Sequence, residues 1–215
     1  MVRLRALGIG VSFVVLLGSA GCLGFLTGDQ PLEFAANATE VDDETLAETE
    51  YRMAGSESPN RTLNVTAGGQ TREVTLSSEV RRYNRTVSVA PSLEGDFARM
   101  TVYTTPSPTV GGRSVNPVDE WSTERLIRRL VDSTSGDSNV EFESNRSVEF
   151  LDGERTVSTY GATRSLNGTE ANVTVHLATV EHDGDYVVVV AVHPERLDER
   201  SRVDALLAGL RHPPS

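Results

Sequence analysis

Asp183-Gly184-Asp185-Tyr186-Val187-Val188-Val189-Val190-Ala191-Val192 is the stretch whose reading decides the fold of this chain. Asp-Gly beside an apolar run is a strong short-range signal for a β-hairpin turn. Tyr186 to Val192 is apolar at odd and even positions alike. A strand with one face in water alternates, whereas a strand apolar on both sides is covered on both. Tyr186–Val192 therefore reads as the central strand of a sheet, with helices or other layers on either side. His193-Pro194 stops it.

Outward from this strand, Glu195 to Leu210 reads as a closing helix, with Leu197, Val203, Leu206, Leu207 and Leu210 as its apolar stripe. Towards the N-terminus come the strand stretches Ala171–Glu181, Arg155–Leu166 and Val140–Phe150. Ser122–Asp132 has a helical period, with Leu126, Ile127, Leu130 and Val131 on one face and Arg125, Arg128 and Arg129 on the other. Pro106 to Pro117 is a loop with a short extended piece at Arg113–Val115. Phe97–Thr104 and the alternating residues between Arg61 and Val89 are strand material, with Gly68-Gly69 as a turn. A first helix starts at Asp42, which can cap it, and runs to about Ala54. Runs of strands with sparse helices predict an α+β fold: a mostly antiparallel β-sheet flanked by about three helices, after an N-terminal signal or anchor.

That signal is Met1 to Cys22. Arg3 and Arg5 precede an apolar run from Ala6 to Leu17, then the small residues Gly18, Ser19, Ala20 and Gly21, then Cys22. A charged start, a short apolar run and a small-residue exit describe an export signal. Cys22 is the sole cysteine, so an intrachain disulfide is excluded. Ser19-Ala20-Gly21-Cys22 resembles a lipobox with Ser19 at the first, usually apolar, position. Cleavage after Gly21 would leave Cys22 N-terminal and lipid-modified. Two alternatives stand beside it: cleavage after Ala20, or retention of the charge-free stretch Ala6–Gly28 as a membrane-spanning helix. The lipid and helix readings put the body on the same side, with Arg3 and Arg5 inside. The expected organisation is residues 1–21 as lipoprotein signal peptide, 22–40 as tether and 41–215 as a single extracytoplasmic domain.

The 215 residues carry a net charge of −11, and every basic side chain except histidine is arginine; lysine is absent. This balance looks like that of a protein from a salt-loving archaeon. At molar salt the Debye length is about 3 Å, so carboxylate repulsion is screened while the charge keeps the surface hydrated. The acidity argues against nucleic acid as a partner. Seven of nine asparagines stand in Asn-x-Ser/Thr triplets: Asn37, Asn60, Asn64, Asn84, Asn145, Asn167 and Asn172. Together they suit an exported body carrying N-glycans at one or two of these positions.

No catalytic pattern emerges. The four histidines, His176, His182, His193 and His212, show no helical metal-ligand spacing. His182 with Asp183 and Asp185 offers cation ligands, but Asp-Gly-Asp in a hairpin reads as a turn, so no metal and no cofactor is expected. A G-x-S-x-G elbow is absent, and Gly111-Gly112-Arg113 lacks the spacing of a phosphate loop. Trp121 reads as a core or cap residue and the arginine row as a solvated helix face.

Gly111–Val131, GGRSVNPVDEWSTERLIRRLV, and Asp183–His212, DGDYVVVVAVHPERLDERSRVDALLAGLRH, together resemble a family of uncharacterised haloarchaeal lipoproteins. That likeness implies a lipobox, a Gly-x-x-x-Asn-Pro loop, here Gly112–Pro117, and a closing strand-Pro-helix unit; it attaches no activity. The element order also resembles, more distantly, the PsbP-like fold, and fold analogy supplies no function. The expectation is therefore a non-enzymatic, membrane-anchored lipoprotein on the extracytoplasmic face, bound to the membrane by lipid or helix, with a binding or structural role in the cell envelope and an unknown envelope protein or small ligand as partner. An extracellular hydrolase is the alternative.

Overall fold

Seven strands form one fully antiparallel sheet. In chain order these are β3 (Arg52–Glu57), β6 (Glu79–Ala90), β7 (Leu93–Pro106), β10 (Val140–Phe150), β11 (Gly153–Leu166), β12 (Thr169–His182) and β13 (Asp185–Pro194). Their spatial order is β10-β11-β12-β13-β7-β6-β3. The all-apolar strand β13 takes the middle place. The computed structural model describes residues 31–67, 69–91, 93–110, 113–116, 126, 140–166 and 168–214. The chain divides into two units, Met1–Pro31 and Leu32–Ser215, and the sheet with its helices belongs to the second.

β13 is buried along its odd-numbered face and partly buried along the other, where Val188 is buried and Tyr186, Val190 and Val192 are half-buried. Val187, Val189 and Ala191 join Met100, Val102, Ala178 and Val180 in the larger core. Val188 joins Tyr160, Val173, Val175, Leu177 and Leu126 in a second core on the other face. Neighbouring residues of a strand point to opposite faces, so one unbroken valine run feeds both cores. The larger core is roofed by α1 (Asp43–Thr49) and α2 (Arg200–Ala208), with Val203, Leu206 and Leu207 facing the sheet.

Smaller pairings surround the sheet. β1 (Leu32–Ala35) lies parallel to β5 (Gln70–Ser77), which pairs antiparallel with β4 (Asn60–Ala67). Residues 32–35, expected in the tether, are thus strand. β2 (Glu40–Val41) pairs with β14 (Leu210–Arg211), and β8 (Thr109–Val110) with β9 (Arg113–Ser114). Asn116 closes the loop after β9: its amide donates to the Thr105 hydroxyl at 3.0 Å and to the Pro106 carbonyl at 2.7 Å. That buried side chain holds the Gly-x-x-x-Asn-Pro segment to the end of β7.

The structure corrects the expected α+β class with about three helices. The described residues are mainly strand, with two short helices. α1 is capped by Asp42, whose carboxylate accepts from the Thr45 N–H at 2.8 Å, but it ends at Thr49 instead of near Ala54. Glu50 turns left-handed with φ 62°. Tyr51 then enters the core, and the chain runs on as edge strand β3, with a register shift between Met53 and Gly55. Side-chain burial and edge pairing outweigh helix propensity there. The closing helix is also shorter than Glu195–Leu210. Residues 195 and 196 form a turn and 197 a bend before the helix starts at Arg200, and Leu210 lies past its end, paired with Val41. The expected helix Ser122–Asp132 lies outside the described residues, except Leu126, which is helical and buried.

The turn Asp183-Gly184 has φ values of 48° and 83°, the positive pair that a two-residue type I′ hairpin needs. Gly209 follows α2 so closely to α1 that a Cβ there would collide with the Thr45 side chain. Leu206 has no exposed surface. Leu206→Ala is expected to cost about 2–5 kcal/mol of unfolding free energy, read as a lower urea midpoint with unchanged slope at fixed salt. An unmoved midpoint would contradict the packing of α2 on the sheet.

Candidate functional site

Two pairs of histidines meet in the fold, one near each end of β13. The first pair lies on the helix-covered face. His176 of β12 is on the same side as Ala178 and Val180, and His193 on the same side as Ala191. Both are buried at 4% exposure, and their Nε2 atoms stand 3.1 Å apart. Arg146 reaches in from β10. Its Nη1 is 3.0 Å from His176 Nδ1 and donates to the Thr159 hydroxyl at 3.0 Å, while its Nε donates to Asp204 of α2 at 2.8 Å.

A guanidinium can only donate, and that fixes the tautomers. His176 Nδ1 accepts from Arg146, so His176 carries its proton on Nε2 and donates it to His193 Nε2. His193 then carries its proton on Nδ1, facing the Pro194 carbonyl at 3.0 Å. The relay is complete with both rings neutral. Burial pulls the His176 pKa down to about 3, with the charges of Arg146, His193 and Arg200 adding to it. Burial also lowers His193, against the raising effects of the Pro194 carbonyl, Glu199 and Asp198. The Thr159 hydroxyl lies 3.2 Å from His176 Nδ1, but both ring nitrogens are already engaged. This arrangement ties edge strand β10 to α2 through Arg146 and engages every ring nitrogen of the pair.

The second pair lies at the Asp183-Gly184 turn. His182 Nδ1 and His212 Nδ1 are 2.9 Å apart. His212 Nε2 faces Asp185 Oδ2 at 3.1 Å, and the Asn37 N–H donates to the same oxygen at 2.9 Å. His182 Nε2 is 3.3 Å from Asp152 Oδ2, and its Nδ1 is 3.7 Å from Asp183 Oδ2. His212 and Asp185 are buried, while Asp183 and Asp152 reach solvent. Among the described residues, His182, Asp183 and His212 bring three ligand atoms within 4.8 Å of one another.

A third buried charge braces α2. The Glu199 carboxylate, 1% exposed, is held by Arg85, by the Tyr51 hydroxyl at 3.4 Å and by Arg202 at 3.5 Å. Burial and the neighbouring carboxylate push the Tyr51 hydroxyl far above its ordinary pKa. It stays a donor. Removing one partner of such a buried set strands the other's charge, so the role is structural.

Two open hollows adjoin at the opposite end of the sheet from the Asp183-Gly184 turn. One of about 400 Å³ lies between Leu93, Ala171 and Arg196. One of about 270 Å³ is lined by Glu141, Glu143 and Glu195. Asn172 lines both. The acidic rim fits a cationic or hydrated partner better than an anion.

The expected modification sites are spread over the body rather than gathered. Asn60, Asn64, Asn145 and Asn172 are exposed on strands, and Asn84 is half-buried in β6. The Asn37 amide donates to the Pro214 carbonyl at 2.9 Å. Cys22 and Asn167 lie outside the described residues, as do Trp121 and the arginine row. Sequence reasoning missed both histidine pairs. Pairing across the sheet brings 176 and 193 together, and the return of the chain after α2 brings 182 and 212 together; neither leaves a local spacing. The available signal was His176 close to the apolar alternation of Val173, Val175 and Leu177.

Residues 38–211 match the family described as a domain of unknown function, DUF6517. The chain belongs to that family. Among solved structures, it is similar to the solution structure of cyanobacterial PsbP (CyanoP) from Synechocystis sp. PCC 6803, at 12% identity and a TM-score of 0.41, over 92% of this chain and 99% of that one. Comparison with curated proteins finds no match.

The neutral relay makes stability depend on pH. An unfolded histidine takes up its proton near pH 6.5, and His176 in the fold only near pH 3. Between these values the unfolded chain binds more protons, so stability rises with pH. The contribution is whole above pH 6.5 and is lost as pH falls towards 3. One such group gives a slope of up to about 1.4 kcal/mol per pH unit. His176→Gln is expected to flatten the pH dependence of the urea midpoint across this window; identical slopes in both proteins would refute the neutral relay.

Proposed function

We propose that the protein is an exported, membrane-anchored lipoprotein of the cell envelope. Its β-sheet body stands on the extracytoplasmic face and has a non-catalytic role in binding a partner. The observation that carries this reading is the leader: two arginines, an apolar run and small residues leading directly to the only cysteine. The unit that holds the sheet begins at Leu32, ten residues after Cys22 in the sequence. Among the described residues, no helix is long and apolar enough to cross a membrane.

The chemistry of the body agrees with this reading. An acidic, lysine-free surface suits molar salt, where the charges remain hydrated and their repulsion is screened. The exposed strand positions Asn60, Asn64, Asn145 and Asn172 present amides that a glycan can occupy without opening the core. The acidic hollows at Glu141, Glu143 and Glu195 offer a partner surface.

A second reading keeps the leader uncleaved. The charge-free stretch Ala6–Gly28 favours it, because its length suffices to span a bilayer. The two readings differ in mass. Protein extracted from membranes should lack Met1–Gly21 and carry lipid on Cys22, with any glycan adding further mass. A chain that retains Met1–Gly21 would refute the lipoprotein and leave the spanning helix. Cys22→Ser should abolish the lipid mass; membrane protein of unchanged mass apart from the substitution would refute the assignment of Cys22.

A further inference from the structure

We propose that His182, His212 and Asp183 form a binding site for one divalent transition-metal ion of the zinc type, fastening the segment after β14 to the β12–β13 turn. Nitrogen and carboxylate ligands with no thiolate suit Zn²⁺, Co²⁺ and Ni²⁺.

The outer nitrogens give the site its direction. His212 Nε2 faces the buried carboxylate of Asp185. That carboxylate also accepts the Asn37 N–H, so its orientation is set from two sides. A ring that donates Nε2–H to a carboxylate presents Nδ1 as a lone pair, and this is the second-shell arrangement of metal-bound histidine. His182 repeats it with Asp152 at 3.3 Å. Two lone pairs are thus aimed at each other across 2.9 Å. With both outer nitrogens protonated these lone pairs repel and a cation bridges them; with the His182 proton on Nδ1 the same contact is an N–H···N hydrogen bond, which the ion has to displace.

The spacing is close to what a metal needs. Two nitrogens about 2.1 Å from one tetrahedral zinc lie about 3.4 Å apart. The rings must part by about 0.5 Å, a small change for His182 at the end of a strand. Asp183 Oδ2, 3.7 Å from His182 Nδ1, lies near the same spacing and supplies a third ligand from the solvent side. A water would complete the tetrahedron. Val180 and Val187, buried nearer the middle of the sheet, make a dry floor, whereas Asp183 and Asp152 keep an entrance open.

The rival occupant is a proton shared between the two imidazoles. The test separates them. The full chain, stripped with chelator and folded in molar salt at pH 8 where free imidazole is neutral, is titrated with Zn²⁺ and, separately, with Co²⁺. The expected result is one saturable equivalent of Zn²⁺ by calorimetry, a raised melting temperature, and the visible bands of four-coordinate cobalt. His182→Gln and Asp183→Asn, both at the solvent side of the site, should weaken binding at least tenfold and remove the metal-dependent rise in melting temperature. Asp185→Asn should weaken it about 10- to 100-fold. Absence of a saturable equivalent overturns the site and leaves the shared proton. Equal binding by His182→Gln also overturns it, because the ion is then held by scattered surface carboxylates.

Discussion

The valine row of β13 has to be kept from water, and the sheet and its helices cover it completely on one face and in part on the other. An exposed valine row on either side would forfeit roughly 1.5–3 kcal/mol per side chain. Its position between β12 and β7 satisfies the backbone. α1 and α2 cover one face; on the other Val188 is buried in the core with Leu126, Tyr160 and Leu177, and Tyr186, Val190 and Val192 are half-buried beside it. The polar groups of β13 are confined to its ends. Asp185 opens the strand and His193 closes it, both buried. Each has found hydrogen-bond partners, since a buried polar group without them costs more than it contributes. The two histidine pairs are therefore consequences of how the central strand begins and stops.

Arginine is the cation that makes this arrangement workable. Arg146 bridges a β10 position, the His176 ring and Asp204 of α2, which needs several donors in a fixed fork. Arg85 holds Glu199 in the same way under α2. The exposed pairs, such as Arg52 with Asp96 at 2.7 Å and Arg82 with Glu57 at 2.7 Å, matter little to stability and less at high salt. Composition alone shows a lysine-free chain. The fold shows that a few arginines are structural while the acidic remainder faces solvent.

The sequence was most legible where one local rule dominated. The Asp-Gly turn and the Asp42 cap each act within a few residues, and each is found where its rule places it; the valine run takes the middle of the sheet, with one face buried and the other half-buried. The helices were less legible because distant contacts set their ends. Tyr51 is drawn into the core and ends α1 early, and the β2–β14 pairing removes Leu210 from α2. Those losses turn an expected α+β fold into a mainly β one. The histidine pairs were least legible. His176 and His193 meet through the antiparallel register of β12 and β13, and His182 and His212 only after the chain has turned through α2. No spacing in the sequence records either. The proposed leader, Met1–Cys22, rests on composition alone, independently of the sheet.

Amide hydrogen exchange across the main sheet tests the central place of β13 most directly. The N–H groups of Val187, Val188, Val189 and Ala191 should be the slowest in the chain, exchanging only on global unfolding, while those of the edge strands β3 and β10 exchange orders of magnitude faster. Exchange in β13 as fast as in β10 would contradict its central place in the sheet.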